Sequence, residues 1–233
     1  MQINSDFSQQ ASLLPSQYSW QTTPQAGVER VMLDRIGGEK ARATSVVRYA
    51  PESTFPSHAH PGGEEIMVLS GTFSDQSGDY PQGFYLRNPP GSSHAPSSKN
   101  GATIFVKLWQ MNAAETIPVR INTHDPTTWT TQNKRQICPL YQDDNEVTKL
   151  VKLAPHQQLF DDLSFCGSSI NNALELFVLS GSVLHQGNEY SKGSWLRLPS
   201  CCEALITTQS AGANIYLKIG NFKNTGTNIG YEG

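Results

Sequence analysis

The sequence has no block of a single charge. Its 17 Lys and Arg and 20 Asp and Glu are interspersed, leaving a formal net charge of −3. A clustered basic stripe is the electrostatic footprint of nucleic-acid binding, and a polybasic segment that of an anionic membrane surface. Neither is present, so neither nucleic acid nor membrane is expected as a partner. No apolar run reaches the ~20 residues that a membrane-spanning helix needs. The first twenty residues, Met1 to Trp20, lack a positive n-region and an apolar h-region, so they do not read as a secretory signal. Cysteine is scarce too. Cys138, Cys166, Cys201 and Cys202 form no Cys-x-x-Cys pair and no framework spacing. The adjacent Cys201 and Cys202 are poorly placed for a disulfide, because vicinal bridges are strained. Free thiols in a reducing cytoplasm are the expectation.

Helical periodicity is also weak. Short β-branched and aromatic runs recur instead, separated by Gly, Pro, Asn and Ser. They include Thr44–Tyr49, Glu65–Phe73, Phe84–Arg87 and Thr103–Trp109, then Thr148–Leu153, Leu174–Leu184, Ser194–Leu198 and Asn214–Ile219. Many short strands with turn signals between them predict an all-β sandwich or barrel. At 233 residues the chain can bury roughly 70% of its unfolded surface and needs no covalent staple.

The strands belong to an internal repeat. Glu65-Ile-Met-Val-Leu-Ser-Gly71 matches Glu175-Leu-Phe-Val-Leu-Ser-Gly181, and Gly83-Phe-Tyr-Leu-Arg-Asn-Pro89 matches Gly193-Ser-Trp-Leu-Arg-Leu-Pro199 at the same offset. Phe105-Val-Lys-Leu108 matches Tyr216-Leu-Lys-Ile219 one residue further on. Three matches in order predict two homologous domains, 1–115 and 116–233. Their join lies somewhere in Asn112–Asn133.

The first half contains His58-Ala-His60-Pro-Gly-Gly-Glu64 and, further on, Pro89-Pro-Gly91 followed by His94. Residues two apart on a strand face the same side, so His58 and His60 can enter one cavity. Pro61-Gly62-Gly63 turns the chain, and Glu64 re-enters from the next strand. His94 follows a Pro-Gly turn that brings a distant strand to the same place. Three imidazoles and one carboxylate suit one divalent ion, with Zn favoured by affinity and Fe, Mn or Ni also compatible. Three of the six histidines fall in this pattern. His124, His156 and His185 have no matching context and read as ordinary histidines.

Glu64 and Glu65 point to opposite faces, so only one can reach an ion. The repeat separates them. Glu65 aligns with Glu175, whereas Glu64 aligns with Leu174. A ligand should vanish with its site, so Glu64 is the expected ligand and Glu65 is expected to have a structural partner. The other ligand positions become about Ser168, Ile170 and Ala204 in the second half, which is therefore expected to hold no metal. Arg87 and Arg197 persist in both halves, which favours a structural ion pair.

The two motif blocks closely resemble those of the cupins. The resemblance covers the chain as two tandem cupin barrels, of the double-stranded β-helix, jelly-roll-like type. One departure is Ser98, where the second cupin motif usually has Asn. More narrowly, Arg42-Ala-Thr-Ser-Val-Val-Arg-Tyr49 leading into Phe55-Pro-Ser-His-Ala-His-Pro-Gly-Gly-Glu-Glu, with Gly78-Asp-Tyr and Asn88-Pro-Pro-Gly, resembles the ChrR-like cupins. That resemblance implies a zinc-binding cupin with a regulatory or sensing role. The sigma-binding part of ChrR is a separate N-terminal helical zinc domain with a His…Cys-x-x-Cys pattern. This chain shows no such pattern, so sigma-factor binding is not expected of it. A second implication comes from other cupin relatives: a mononuclear Fe(II) dioxygenase acting on a small diketone or phenolic ketone bound at the metal. The resemblance also implies that the two barrels pair within the chain, as cupin subunits do in dimers.

Overall fold

The computed structural model describes residues 1–38, 40–160, 172–201 and 204–222. These form two compact units. One holds Met1–Ser5 and Ser19–His124; the other holds Asp6–Tyr18 and, among the described residues, those from Asp125 to Phe222. The chain therefore passes from one unit to the other at His124–Asp125. An N-terminal segment that the sequence did not distinguish belongs to the second unit. Helical structure among the described residues is confined to 3₁₀ turns such as Pro15–Gln17 and Pro126–Thr128. No described helix is long and apolar enough to cross a membrane.

In the first unit the main sheet runs Gln2–Ile3, Val28–Gly37, Ala41–Tyr49, Ala102–Leu108, Glu64–Asp75, Phe84–Asn88, Val119–Asn122. In the second it runs Thr130–Gln132, Arg135–Gln142, Glu146–Leu153, Ile206–Gly220, Ala173–His185, Trp195–Leu198, Ala11–Leu13. Every pairing among the described residues is antiparallel, and the order of the repeated strands is the same in both. The sequence repeat is thus also a repeat of topology and register. Arg87 stands opposite Glu65 and Glu65 opposite Lys107; Arg197 stands opposite Glu175 and Glu175 opposite Lys218.

Alternation along these strands separates two faces. Glu64, Ile66 and Val68 share one face and Leu86 and Asn88 lie beside them; Ile66, Val68 and Leu86 are fully buried, in one cluster with Phe73, Tyr80 and Ile104. In the second unit Leu174, Leu176, Val178, Leu196 and Leu198 occupy the same register and join a wider apolar cluster. The other face carries the repeated charges. Arg87 Nη1 lies 3.0 Å from Glu65 Oε2, and both its Nε and Nη2 donate to the Glu115 carboxylate at 2.7 Å. This ion pair is the structural partner expected for Glu65. In the second unit Trp195 Nε1 donates to Glu175 at 2.8 Å, and Lys218 lies 2.9 Å from Glu146.

The Leu-Ser-Gly repeat also has a physical cause. Gly71 and Gly181 sit at φ of 70° and 72°, and a Cβ on either would lie 2.0 or 2.1 Å from the carbonyl oxygen of Gly101 or Gly212. Only glycine permits both that conformation and that approach.

Candidate metal centre

His58–His60 forms a short two-stranded sheet with Ser92–His94, in which His94 stands opposite His58 and Ser92 opposite His60. Directly opposed residues share a face, as do residues two apart. The pairing therefore puts all three imidazoles on one side. The chain then reverses at Pro61-Gly62-Gly63, where the Gly63 amide donates to the His60 carbonyl at 3.0 Å. The Gly91 amide donates to the same carbonyl at 2.9 Å, which ties the Pro-Pro-Gly turn before His94 to the histidine strand.

The result is a tight cluster. One ring nitrogen from each of His58, His60 and His94 lies within 4.8 Å of the others. His60 Nε2 and His94 Nε2 are 2.9 Å apart, and Glu64 Oε2 is 3.5 Å from the former and 3.4 Å from the latter. Glu64 thus faces the imidazoles while Glu65 faces Arg87. His60, Glu64 and His94 are buried; His58 is exposed at the edge, its Nδ1 3.1 Å from the Pro56 carbonyl.

Burial governs the charges here. Desolvation, reinforced by His58, holds the His60 imidazole down to about 4. Desolvation also lowers His94, against the pull of Glu64 and Asp75. The Glu64 carboxyl is pushed up by its burial, opposed by His94, the Asn88 hydrogen bond, His58 and Arg120. All three groups are thus biased toward their neutral forms, which for the imidazoles is the ligating form. A buried carboxylate without a cation costs several kcal/mol, whereas a buried leucine contributes about 1.5–3 kcal/mol. A site that keeps the former where its own repeat has the latter is chemically suited to a divalent cation.

Several surrounding residues were not singled out by the sequence. Asn88 Nδ2 donates to Glu64 Oε2 at 2.9 Å. Asp75 Oδ2 faces His94 Nδ1 at 3.6 Å. Phe73 lies 5.9 Å from the His94 ring, and Tyr49 packs edge-on against Phe55 and Phe73 at 5.3 and 5.6 Å. The Tyr49 phenol is held well above its ordinary value by burial and then by the Glu64 charge, so it keeps its proton. The repeat carried a signal for two of these. At the same offset Asn88 becomes Leu198 and Asp75 becomes His185.

In the second unit Leu174 stands opposite Leu198 with both buried, and Ala204 is likewise buried. The equivalents at Ser168 and Ile170 lie outside the described residues, as do Cys166 and Cys202. Cys138 and Cys201 are buried. His185 is buried with Nδ1 3.2 Å from the Leu205 carbonyl.

Solved structures share this architecture over nearly the whole chain. A proposed dioxygenase from Nostoc punctiforme superposes with a TM-score of 0.72 at 14% identity, covering 92% of this chain and 84% of that one. The bacterial pirin YhhW from Escherichia coli, in complex with nickel(II), gives 0.64 at 13% identity, covering 91% and 98%. The 11S allergen of Cocos nucifera gives 0.61 at 10% identity, covering 92% and 90%. Residues 8–112 match the model of the ChrR cupin-like domain family. The fold is that of the cupins. Comparison with curated proteins found no match. The family match ends just after Met111 and does not extend to the strands from Asp125 onward.

Proposed function

We propose that the chain is a metal-binding cupin with a regulatory or sensing role, in which His58, His60, Glu64 and His94 hold one divalent ion in the first unit. The observation that carries this reading is the meeting of His60 Nε2, His94 Nε2 and Glu64 Oε2 within 3.5 Å of one another. The repeat offers a counterpart in which leucine and alanine stand for the carboxylate and the last imidazole. The donor set suits Zn first by affinity, and Fe, Mn or Ni by chemistry. The match to the ChrR cupin-like domain supports sensing. So does the exposed edge at His58, through which a small molecule could reach the ion.

A second reading is a mononuclear Fe(II) dioxygenase acting on a small diketone or phenolic ketone. Two observations favour it: the likeness to a proposed dioxygenase, and the aromatic wall of Tyr49, Phe55 and Phe73 beside His94. Four protein ligands leave about two of six octahedral positions open. When bound, the ion supplies Lewis acidity and a template for substrate. The chain's own residues supply the apolar wall and, at Tyr49, a protonated phenol. Metal analysis of anaerobically purified protein, followed by oxygen-uptake assays with Fe(II) and a small diketone, separates the two readings. Reproducible zinc without turnover supports sensing; iron-dependent oxygen consumption supports the enzyme.

A further inference from the structure

The polar contacts of Glu64 continue beyond the candidate ligands. Asn88 stands opposite Glu64 in the strand register and is 4% exposed. Its Nδ2 donates to Glu64 Oε2. An amide can be placed either way round, and the reverse placement would aim a carbonyl oxygen at the carboxylate. Arg120 removes that choice. Its Nη2 donates to Asn88 Oδ1 at 2.5 Å, so the N–H end of the amide must face Glu64. Arg120 is itself held: Nη1 donates to the Arg87 carbonyl at 3.2 Å, and Nε to the Tyr80 hydroxyl at 3.3 Å. It comes from strand Val119–Asn122, beyond the segment that matches the family model.

The second unit is a control within the same chain. There Trp195–Leu198 is flanked by Ala11–Leu13 as Phe84–Asn88 is flanked by Val119–Asn122. Leu174 stands at the position of Glu64 and Leu198 at that of Asn88. Ser12, opposite Leu196, stands where Arg120 is opposite Leu86. All three members are replaced together. The neighbouring Glu65, Arg87 and Lys107 are kept as Glu175, Arg197 and Lys218. Tyr80, which holds Arg120, is kept as Tyr190. A relay required for the barrel to fold would persist in both units. One that serves the carboxylate would disappear with it.

We propose that Arg120 and Asn88 form a positioning relay for Glu64, in which Arg120 fixes the Asn88 amide and Asn88 holds Glu64 Oε2 toward the imidazoles of His60 and His94. The relay rests on the metal-centre reading of those residues. Groups that orient a ligand from behind are typically worth 10–100-fold in metal affinity. Affinity alone does not separate a relay from a simple field, because the Arg120 charge both repels a bound cation and favours ionised Glu64. A lysine keeps that charge but not the planar grip on the Asn88 amide, so for a relay R120K stays weaker than wild type and the geometry of the bound ion changes in R120M.

The test is competition of Zn(II) against a chromogenic chelator on the full chain, for wild type, N88L, R120M, R120K and R48M. Asn88→Leu installs the residue that the second unit carries at this register. Arg48 is an exposed arginine paired with Glu29, outside the cluster, and controls for lost charge. N88L is expected to bind roughly 10–100-fold more weakly and R120M about tenfold more weakly, with R120K partly restored and R48M unchanged. The Co(II) absorption spectrum of loaded R120M should also shift, because ligand orientation changes; general destabilisation would leave the spectrum of the bound fraction alone. If N88L fails to fold, R120M and R120K carry the test. Zn(II) binding by R120M that equals or exceeds wild type, with an unchanged Co(II) spectrum, overturns the relay while leaving the metal centre standing. Wild type that binds no Zn(II) overturns the metal reading and the relay with it.

Discussion

Glu64 and Glu65 are adjacent in sequence yet meet opposite partners: Oε2 of Glu64 lies 3.4 Å from His94 Nε2, and Oε2 of Glu65 lies 3.0 Å from Arg87 Nη1. Successive strand residues point to opposite faces, so one carboxylate serves the candidate metal centre and the other a buried ion pair.

Substitution should separate them cleanly. E64A is expected to weaken metal binding by at least the ~10–100-fold typical of disturbing a site's supporting groups, since it removes a ligand outright. E65A should leave affinity nearly intact and destabilise the fold by roughly 3 kcal/mol, at the low end for a broken buried pair, because Glu115 still holds Arg87. Chelator competition and urea denaturation read the two effects. The reverse assignment would show that the wrong glutamate faces the ion.

The metal-free protein should lose stability in acid through His60. Its folded imidazole is held down to about 4, below the ordinary 6.5. Between those values the unfolded chain carries a proton that the folded chain does not, so unfolding takes up a proton. The His60 contribution is complete above about pH 6.5 and is lost as pH falls toward about 4. Glu64 has the opposite sign, because its raised carboxyl favours the folded state at low pH and that contribution is lost as pH rises. Urea denaturation of chelator-treated protein should show a shallower acid-side slope in H60Q than in wild type. Equal slopes would mean that His60 is not buried as neutral imidazole.

In the turn between His60 and Glu64, a side chain at Gly63 would have to displace Met111. Gly63 sits at φ 75°, and a Cβ there would lie 2.4 Å from Met111 Sδ and 2.9 Å from its Cγ. Gly91 is at φ 82° with open space around a Cβ. G91A is expected to cost only the backbone strain, about 1–2 kcal/mol. G63A adds the clash and displaces the residues on either side of the turn, so it should cost more stability and weaken metal binding as well. Thermal melts and zinc titration of the two variants compare them; equal behaviour would remove steric crowding from the explanation.

Much of this was legible because two signals were strong. The eight β-rich runs fall on strands of the structure, with Trp109 and Ser194 each lying one residue outside their strands, and the two halves related by the repeat share their strand order and Arg–Glu register. What escaped notice broke the alternation. Val28–Gly37 has a bulge between Met32 and Asp34, which shifts its hydrophobic period and buries Asp34 and Arg35. Arg135–Gln142 contains Pro139 and a bulge beside it, and proline ordinarily argues against a strand. Val119–Asn122 and Ala11–Leu13 are four and three residues long, too short to show a period. In the candidate site the motif residues announced themselves by spacing. Asp75 and Arg120 make tertiary contacts and follow no motif, and Asn88, although it opens the Asn-Pro-Pro-Gly block, gave no sign there of its contact with Glu64. For Asn88 and Asp75, the polar-to-Leu and Asp-to-His exchanges across the repeat were the one available sign.

On the proposed reading, one unit holds a metal and its repeat does not. Elemental analysis of the purified full chain, after removal of loosely bound ions by gel filtration, tests this alongside the same measurement on the double variant E64A/H94A. The expected result is one divalent ion per chain in wild type and essentially none in the variant. Two tightly bound ions per chain, or one that survives loss of both Glu64 and His94, would contradict it.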